Sequence, residues 1–212
     1  MPVPPQLDAL RQARRDTSGL AAPLSQAQLD FSPGRGKWSI GEVLDHLSRT
    51  DGMYRKEIGE LIQLARSGRR PYLKRGFADL DVAVSGLPRF LRPLLDLPFT
   101  LMSRLTPRSV SARMAANRKL HIRNPTPATP QPGRPAAELE RDLQASFSAL
   151  ESLVTTNADL DYSSLVHQHP LFGVNNILQI LDFIIQHERR HQAQIRDVMA
   201  NPGFPKAAPA TA

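Results

Sequence analysis

The 212-residue sequence contains no cysteine. Disulfide bonds, thiolate metal ligands and a cysteine nucleophile are therefore excluded, and a metal site in this chain would have to use imidazole and carboxylate groups. Such ligands favour a borderline cation such as Zn²⁺, Ni²⁺ or Fe²⁺. The sequence also lacks a long uninterrupted apolar run, and its N-terminal segment reaches charged residues before an apolar stretch forms. These two absences predict a cytoplasmic protein without a transmembrane segment.

The net charge of +7 is concentrated in one part of the chain. Residues 66–123 hold 13 lysines and arginines against three aspartates, a net of +10, which leaves −3 for the rest of the sequence. Proteins that bind nucleic acid through the phosphate backbone need a broad basic surface. Because the basicity is confined to one segment without base-stacking motifs, no specific nucleic-acid partner is predicted.

Four stretches carry apolar residues every three or four positions, which predicts four long helices. They cover roughly residues 6–20, 40 to between 66 and 68, 135–156 and 174–199. Ser39 stands three positions before Glu42, the spacing of a capping box, so the second helix is expected to begin there. No segment shows the alternation of a strand. The sequence therefore predicts an all-α fold, a four-helix bundle, as one domain over residues 1–212.

The segment between the second and third helices, about residues 67–134, differs in composition from the rest. Pro88, Pro93 and Pro98 recur every five residues in an apolar stretch that arginines interrupt. Prolines at this density prevent one straight helix, and the charges exclude a transmembrane span. We interpret the segment as a Pro-rich basic insertion. It either packs on the bundle as a cap or contacts a partner or an anionic membrane surface.

Two of the six histidines, His187 and His191, lie four residues apart in the sequence His-Glu-Arg-Arg-His. On a helix, side chains at this spacing lie on one face, with about 5–6 Å between their Cβ atoms, and can reach a single cation. The pattern H-E-x-x-H is also that of zinc peptidases. Such a peptidase needs a third ligand downstream, however, and the 21 residues after His191 contain neither glutamate nor histidine. The pattern therefore does not favour a peptidase.

A third ligand would have to come from upstream. His46 lies at the edge of the apolar stripe of the second helix, a position that points into the groove between neighbouring helices. A histidine there can meet residues of another helix, although a hydrogen-bonded or surface imidazole is the more common arrangement. On the fourth helix, Glu188 and His191 lie close to the apolar stripe and His187 lies at its margin. These positions alone leave both a metal site and ordinary polar contacts open.

Two stretches, GKWSIGEVLDHLSRTDGMY and HPLFGVNNILQILDFIIQHERRHQAQI, resemble the motifs of the DinB-like (YfiT-like) superfamily of metal-binding four-helix bundles. The resemblance implies an up-down-down-up bundle whose long crossover, between the second and third helices, contains the insertion. It also implies a divalent metal ion held by His46, His187 and His191. Three protein ligands would leave one coordination position for water or a substrate, as in catalytic metal sites.

Further residues belong to the predicted site. Glu188 is the candidate general base, or a group that orients a ligand, and its alternative role is an ordinary ion pair with Arg189 or Arg190. His169 is a candidate for the mouth of the pocket, or it anchors its loop against Trp38. Trp38 is the only tryptophan, and we expect it to fix the start of the second helix on the core. The two remaining histidines are expected at the surface: His121 and His167.

Two functions of different classes follow. The resemblance implies a divalent-metal-dependent enzyme that acts on a small molecule, by hydrolysis or by transfer involving a low-molecular-weight thiol. The alternative is a non-catalytic, stress-associated metal-binding protein whose basic apolar insertion docks a partner or a membrane surface. An exposed helix face or the insertion would provide the contact for a homodimer, a common state of helical bundles.

Overall fold

The computed structural model describes residues 3–75, 126–169 and 173–206, and within these ranges the chain is mainly helical. The described helices are α1 (Gln6–Ala21), α2 (Gln26–Asp30), α3 (Ile40–Arg66), α4 (Ala136–Thr156) and α5 (Ile177–Met199). All except α2 were predicted, and each predicted end lies within three residues of the observed one. The five-residue α2 is too short to show a helical period. None of the described helices is long and apolar enough to span a bilayer.

A small sheet accompanies the helices, and the prediction that the chain has no strand was wrong. Its strands are β1 (Tyr72–Lys74), β2 (Val166–His169) and β3 (Gly173–Asn176). The central strand β2 pairs in parallel with β1 and antiparallel with β3. Strands of three or four residues contain too few alternations to be recognised in a sequence. The fold remains predominantly helical, as predicted.

Contacts at both ends of α3 and α4 show that these two helices run parallel. Near their N-termini, a Cβ on Gly41 would lie 3.3 Å from Cδ1 of Leu139. Near their C-termini, Arg66 donates hydrogen bonds to Asn157 at 3.0 Å and to Asp159 at 2.6 Å. The chain that connects two parallel helices must return, as a crossover, to the starting end of the bundle. The insertion lies in that crossover.

The outer helices run in the opposite direction. Helix α1 is antiparallel to α4. Arg11, in the first half of α1, pairs with Glu151 late in α4, whereas Ser18, near the end of α1, accepts a hydrogen bond at 2.9 Å from Gln144, which lies earlier in α4. Helix α5 is antiparallel to α3. The start of α3 packs with the later part of α5, and the end of α3 packs with the earlier part of α5. The order is therefore up-down-down-up, which confirms the predicted bundle topology.

The core consists of two apolar clusters with a polar layer between them. One cluster, at the end of the bundle that carries the sheet, includes Ile58, Leu61, Leu150 and Leu181. The other, near the start of α3, is formed by buried residues that include the following: Ile40, Val43, Leu47, Leu139, Leu143 and Ile195. Thr50 and Asp51 of α3 and residues 187–192 of α5 lie between these clusters along their helices. Their polar side chains are therefore enclosed by apolar layers on both sides.

Most of the insertion, residues 76–125, lies outside the described residues, and so does His121. Its interpretation as a cap or a contact surface therefore stays a prediction. The two described ends of the insertion both contact the bundle. Strand β1 joins the sheet at one end, and a short 3₁₀ helix, Thr126–Ala128, packs against α3 at the other.

The capping box predicted at Ser39 is present and provides a test of the start of α3. The Ser39 hydroxyl accepts from the Glu42 amide at 3.2 Å, and the Glu42 carboxylate accepts from the Ser39 amide at 2.8 Å. Removing a cap of this kind leaves an amide without its partner, so Ser39→Ala should lower the free energy of unfolding by about 1 kcal/mol. Urea denaturation measures the change. Ser39→Asp, which restores an N-cap acceptor, should recover most of it.

Candidate metal centre

Three histidines from two antiparallel helices converge between the apolar clusters. His46 lies in the second turn of α3, and His187 and His191 lie one turn apart on α5. The Nε2 atom of His187 is 3.2 Å from Nε2 of His46 and 3.1 Å from Nε2 of His191. One ligand atom from each of the three residues can be chosen so that all lie within 4.8 Å of one another. The structure thus brings together the three histidines that the sequence singled out.

The other ring nitrogens determine which atoms of this cluster carry protons. Nδ1 of His46 lies 2.7 Å from the backbone carbonyl oxygen of Ala128, and Nδ1 of His191 lies 2.9 Å from Oε1 of Gln194. Both oxygens can only accept, so both Nδ1 atoms donate and both Nε2 atoms present lone pairs. The neutral His187 ring has one proton and can donate from Nε2 to at most one of them. At least one pair of facing nitrogens therefore has no proton between them, an arrangement that a bound cation would satisfy.

The two separations from His187 fit a divalent metal ion, and the third pair of nitrogens lies within 4.8 Å. Two imidazole nitrogens bound tetrahedrally to zinc at 2.0–2.1 Å would lie roughly 3.3 Å apart, close to the 3.1 and 3.2 Å found here. Borderline cations prefer neutral imidazole ligands. Within the described ranges, no other group of three or more histidine and acidic side chains has a similar arrangement.

Burial keeps the three rings neutral. Removal from water lowers the pKa of His46, although the hydrogen bond to Ala128 opposes this effect. Burial and then the nearby rings of His191 and His46 lower the pKa of His187 well below its ordinary value. Burial, followed by the His46 ring, lowers the pKa of His191 to about 3. Neutral rings are the form that can bind a metal.

Aromatic rings flank the three histidines. The Trp38 ring centroid lies 4.8 Å from that of His46 and 6.2 Å from that of His191. Phe183 stacks on His187 with 6.2 Å between centroids and 13° between ring planes. Trp38 does pack on the apolar cluster at the start of α3, as expected. Its contact with the histidines was not predicted, because only the tertiary structure brings the start of α3 against α5.

An acidic residue next to His46 holds the loop that orients this ring. Asp45 is 1% exposed and accepts hydrogen bonds from the Gln131 amide at 2.7 Å, from Arg134 at 2.6 Å and from Arg49 at 2.6 Å. Burial acts to raise the pKa of Asp45, but these donors outweigh it and lower the pKa below its ordinary value. The loop thus fixed carries the Ala128 carbonyl that accepts the Nδ1 proton of His46. Asp45 therefore positions His46 through the loop.

We expect Asp45→Asn to weaken zinc binding by about 10- to 100-fold, the usual cost of disturbing a group that orients a ligand. The amide cannot accept from three donors at once with two charged arginines among them, so the Ala128 carbonyl loses its fixed position. Competition with a chromophoric chelator measures the dissociation constant. Asp142→Asn is the matched control, because it removes a different acceptor of Arg134 and leaves the Asp45 contacts in place. Equal zinc affinity in Asp45→Asn and wild type would contradict this role.

Glu188, the predicted general base, belongs to a buried network that includes α1. Its carboxylate is fully buried and accepts from Arg14 at 3.0 Å and from Thr17 at 2.5 Å. Arg14 also donates to Asp51 at 2.7 Å. The alternative predicted for Glu188, an ion pair with an arginine, is thus found, although Arg14 takes the place of the expected Arg189 or Arg190. A catalytic role for Glu188 stays a prediction.

The two histidines of β2, His167 and His169, line a cavity beside the three histidines, together with Tyr54 and Phe183. The Phe183 ring also stacks on that of His187. The predicted surface position of His167 was wrong, since this residue is only 3% exposed. It lies in the central strand, between Leu73 of β1 and Asn175 of β3. A strand that was not predicted could not indicate this burial.

Comparisons with known proteins agree with this architecture. The uncharacterised protein YuaE of Bacillus subtilis is 23% identical over 91% of this chain and 96% of its own length. The structure of YfiT from Bacillus subtilis, described as a probable metal-dependent hydrolase with an unusual four-helix bundle topology, superposes with a TM-score of 0.53. The two chains share 13% identity, and the match covers 94% of this chain and 87% of YfiT. The sequence profile of the DinB superfamily matches residues 9–195, so the chain belongs to that superfamily.

Proposed function

We propose that this protein is a divalent-metal-dependent enzyme that acts on a small molecule, with His46, His187 and His191 as its protein ligands for Zn²⁺, Ni²⁺ or Fe²⁺. The observation that carries the proposal is the convergence of three Nε2 atoms at 3.1 and 3.2 Å, two of which present lone pairs. A cation bound between the buried rings would satisfy these lone pairs.

The chain's own groups prepare the site for such an ion. Ala128 and Gln194 hold the Nδ1 protons of His46 and His191, which directs both Nε2 atoms to one point. Trp38 packs against His46, and Phe183 stacks on His187. A divalent metal held by three imidazoles supplies Lewis acidity and lowers the pKa of a coordinated water toward neutrality. Three ligands, rather than four, are typical of catalytic zinc sites.

Hydrolysis is the reaction we propose first. The structural neighbour YfiT is described as a probable metal-dependent hydrolase, and the three-histidine arrangement is compatible with the same chemistry. Transfer that uses a low-molecular-weight thiol is the second reaction to test. No contact among the described residues favours the thiol, so it enters as a separate arm of the experiment.

The test uses the full-length protein freed of metal and reloaded separately with Zn²⁺, Ni²⁺ or Fe²⁺. Each form is assayed with a panel of activated esters and amides, and with small electrophiles in the presence of a low-molecular-weight thiol. We expect turnover by at least one metal form, its loss on chelation and its recovery on reloading. His187→Ala, which cannot complete the set of ligands, should stay inactive at every metal concentration.

A different result would support the alternative function. Stoichiometric metal without turnover of any ester, amide or electrophile in the panel would contradict the enzyme and leave a metal-binding protein. That alternative assigns partner docking to the insertion, most of which lies outside the described residues. The cytoplasmic location and the homodimer stay predictions.

A further inference from the structure

The C-terminal end of the insertion is attached to α3 at the metal centre. Residues 126–134, which we call the strap, begin with the short 3₁₀ helix, and Nδ1 of His46 donates to the Ala128 carbonyl oxygen at 2.7 Å. Three residues further on, the Gln131 amide donates to the Asp45 carboxylate at 2.7 Å. The strap is thus bound to two adjacent residues of α3, one of which is a candidate metal ligand.

Few buried contacts hold the strap in addition to these hydrogen bonds. Ala128 and Pro130 are its buried residues, and most of its other residues are exposed to solvent. At its end, Arg134 donates to Asp45 at 2.6 Å and to Asp142 at 2.7 Å. Segments with few buried apolar contacts open locally at low cost in free energy. A change at the attachment to α3 can therefore shift the strap between a docked and an open state.

The His46 ring links this attachment to the metal site. With the strap docked, Nδ1 carries the proton and Nε2 presents its lone pair to the other histidines. The other tautomer would place the proton on Nε2, which lies 3.2 Å from Nε2 of His187, and would turn a lone pair of Nδ1 toward the Ala128 oxygen. Two facing lone pairs repel each other, so that tautomer favours the open strap. Metal binding by Nε2 excludes it, because a lone pair that binds a metal cannot also hold a proton.

We propose that the strap is a metal-responsive element, which docks on α3 when the three histidines hold an ion and opens more readily when they do not. The inference rests on the ligands of the proposed function and goes beyond it, because it extends the effect of the metal to one end of the insertion. Coupling between two sites is reciprocal. If a loosened strap weakens zinc binding about 10- to 100-fold, as loss of a group that orients a ligand does, zinc favours the docked strap by the same factor.

The exchange of the Gln131 amide hydrogen with solvent measures how often the strap opens. This amide is bonded to Asp45, and the residues on either side of it, Pro130 and Pro132, have no amide hydrogen. Nuclear magnetic resonance follows its exchange in the full-length protein, first metal-free and then loaded with zinc. We expect zinc to slow the exchange about 10- to 100-fold, the factor that reciprocity gives.

A capping amide outside the strap serves as the internal control. The Gln179 amide donates to the Asn176 side chain at 3.0 Å, at the start of the helix that carries His187 and His191. Like the Gln131 amide, it is bonded to a side-chain oxygen. Its exchange should stay nearly unchanged when zinc is added. Slowing of both amides by the same factor would show that zinc stabilises the whole chain, and it would overturn the inference.

Two arginines that bind Asp45 provide a matched pair of variants. Arg134 reaches the carboxylate from the strap and Arg49 reaches it from α3 itself, each at 2.6 Å. Arg134→Met loosens the strap and should weaken zinc binding about tenfold. Arg49→Met removes a similar ion pair but leaves the strap attached through Arg134 and Gln131, so its zinc affinity should stay close to that of wild type. Circular dichroism confirms that both variants are folded.

The outcomes separate this inference from the proposed function. If zinc binds but leaves the exchange of the Gln131 amide unchanged, or if Arg49→Met weakens zinc binding as much as Arg134→Met, the strap does not respond to the metal and the inference alone fails. If zinc slows this exchange but no substrate of the panel is turned over, the inference holds and the proposed enzyme fails. If the full-length protein binds no zinc, both fail.

Discussion

Replacing any one of His46, His187 and His191 by alanine should abolish stoichiometric metal binding and lower zinc affinity by more than about 100-fold, because loss of a ligand costs more than loss of a group that orients one. Each of these histidines contributes one nitrogen to the cluster, so any single replacement leaves only two of the three ligands. Elemental analysis after dialysis gives the metal content. Competition with a chelator gives the affinity.

The matched control for these variants is a buried histidine outside the cluster. His167→Leu removes an imidazole that is 3% exposed and lies in the sheet, so it should keep one metal ion per chain. Circular dichroism confirms that each alanine variant is folded. A variant of His46, His187 or His191 that keeps wild-type zinc affinity would show that the site does not use that residue.

The second large effect is expected at Arg14, whose side chain is buried between two acids. Its guanidinium donates to Asp51 at 2.7 Å, to Glu188 at 3.0 Å and to the Leu143 carbonyl at 3.0 Å. Arg14→Met keeps an unbranched side chain but leaves two buried carboxylates without their cation. Breaking a buried ion pair in this way costs about 3–5 kcal/mol. Urea denaturation of metal-free protein at pH 7 measures the loss in the free energy of unfolding.

A surface arginine and a triple variant test the reason for this loss. Arg11→Met removes the partly exposed pairs with Glu151 and Asp8 and should cost much less than Arg14→Met, because water screens these charges. Combining Arg14→Met with Asp51→Leu and Glu188→Leu removes all the buried charges together and should recover most of the stability. If Arg14→Met alone costs no more than Arg11→Met, the buried network contributes nothing measurable.

The position of this network explains how α1 affects the metal centre. Thr17 and Arg14 of α1 hold Glu188, the residue that follows His187 on α5. Gln192, which follows His191, donates to the Ala13 carbonyl at 2.7 Å. Each histidine of α5 is thus adjacent in sequence to a residue bound to α1. These contacts fix the rotation of α5 about its axis and hence the direction in which both rings point.

Local patterns in the sequence were sufficient for the long helices. The Ser39 capping box predicted the start of α3, and the period of apolar residues predicted its end to within two residues, because helical hydrogen bonds and caps connect residues only a few positions apart. The four-residue spacing of His187 and His191 fixed their common face for the same reason. The absence of cysteine limited the ligands to imidazole and carboxylate. The resemblance to the DinB-like superfamily added His46 and the up-down-down-up order, which position on a helix alone left open.

Only the tertiary structure decided what depends on contacts between distant parts of the chain. The sheet pairs strands of three or four residues from three separate segments, and with it came the burial of His167. The partner of Glu188 is Arg14, 174 positions away, rather than the neighbouring Arg189 or Arg190. The proton positions of His46 depend on a carbonyl 82 positions away. Burial, pairing and protonation are set by which helices pack together, and no local pattern encodes that choice.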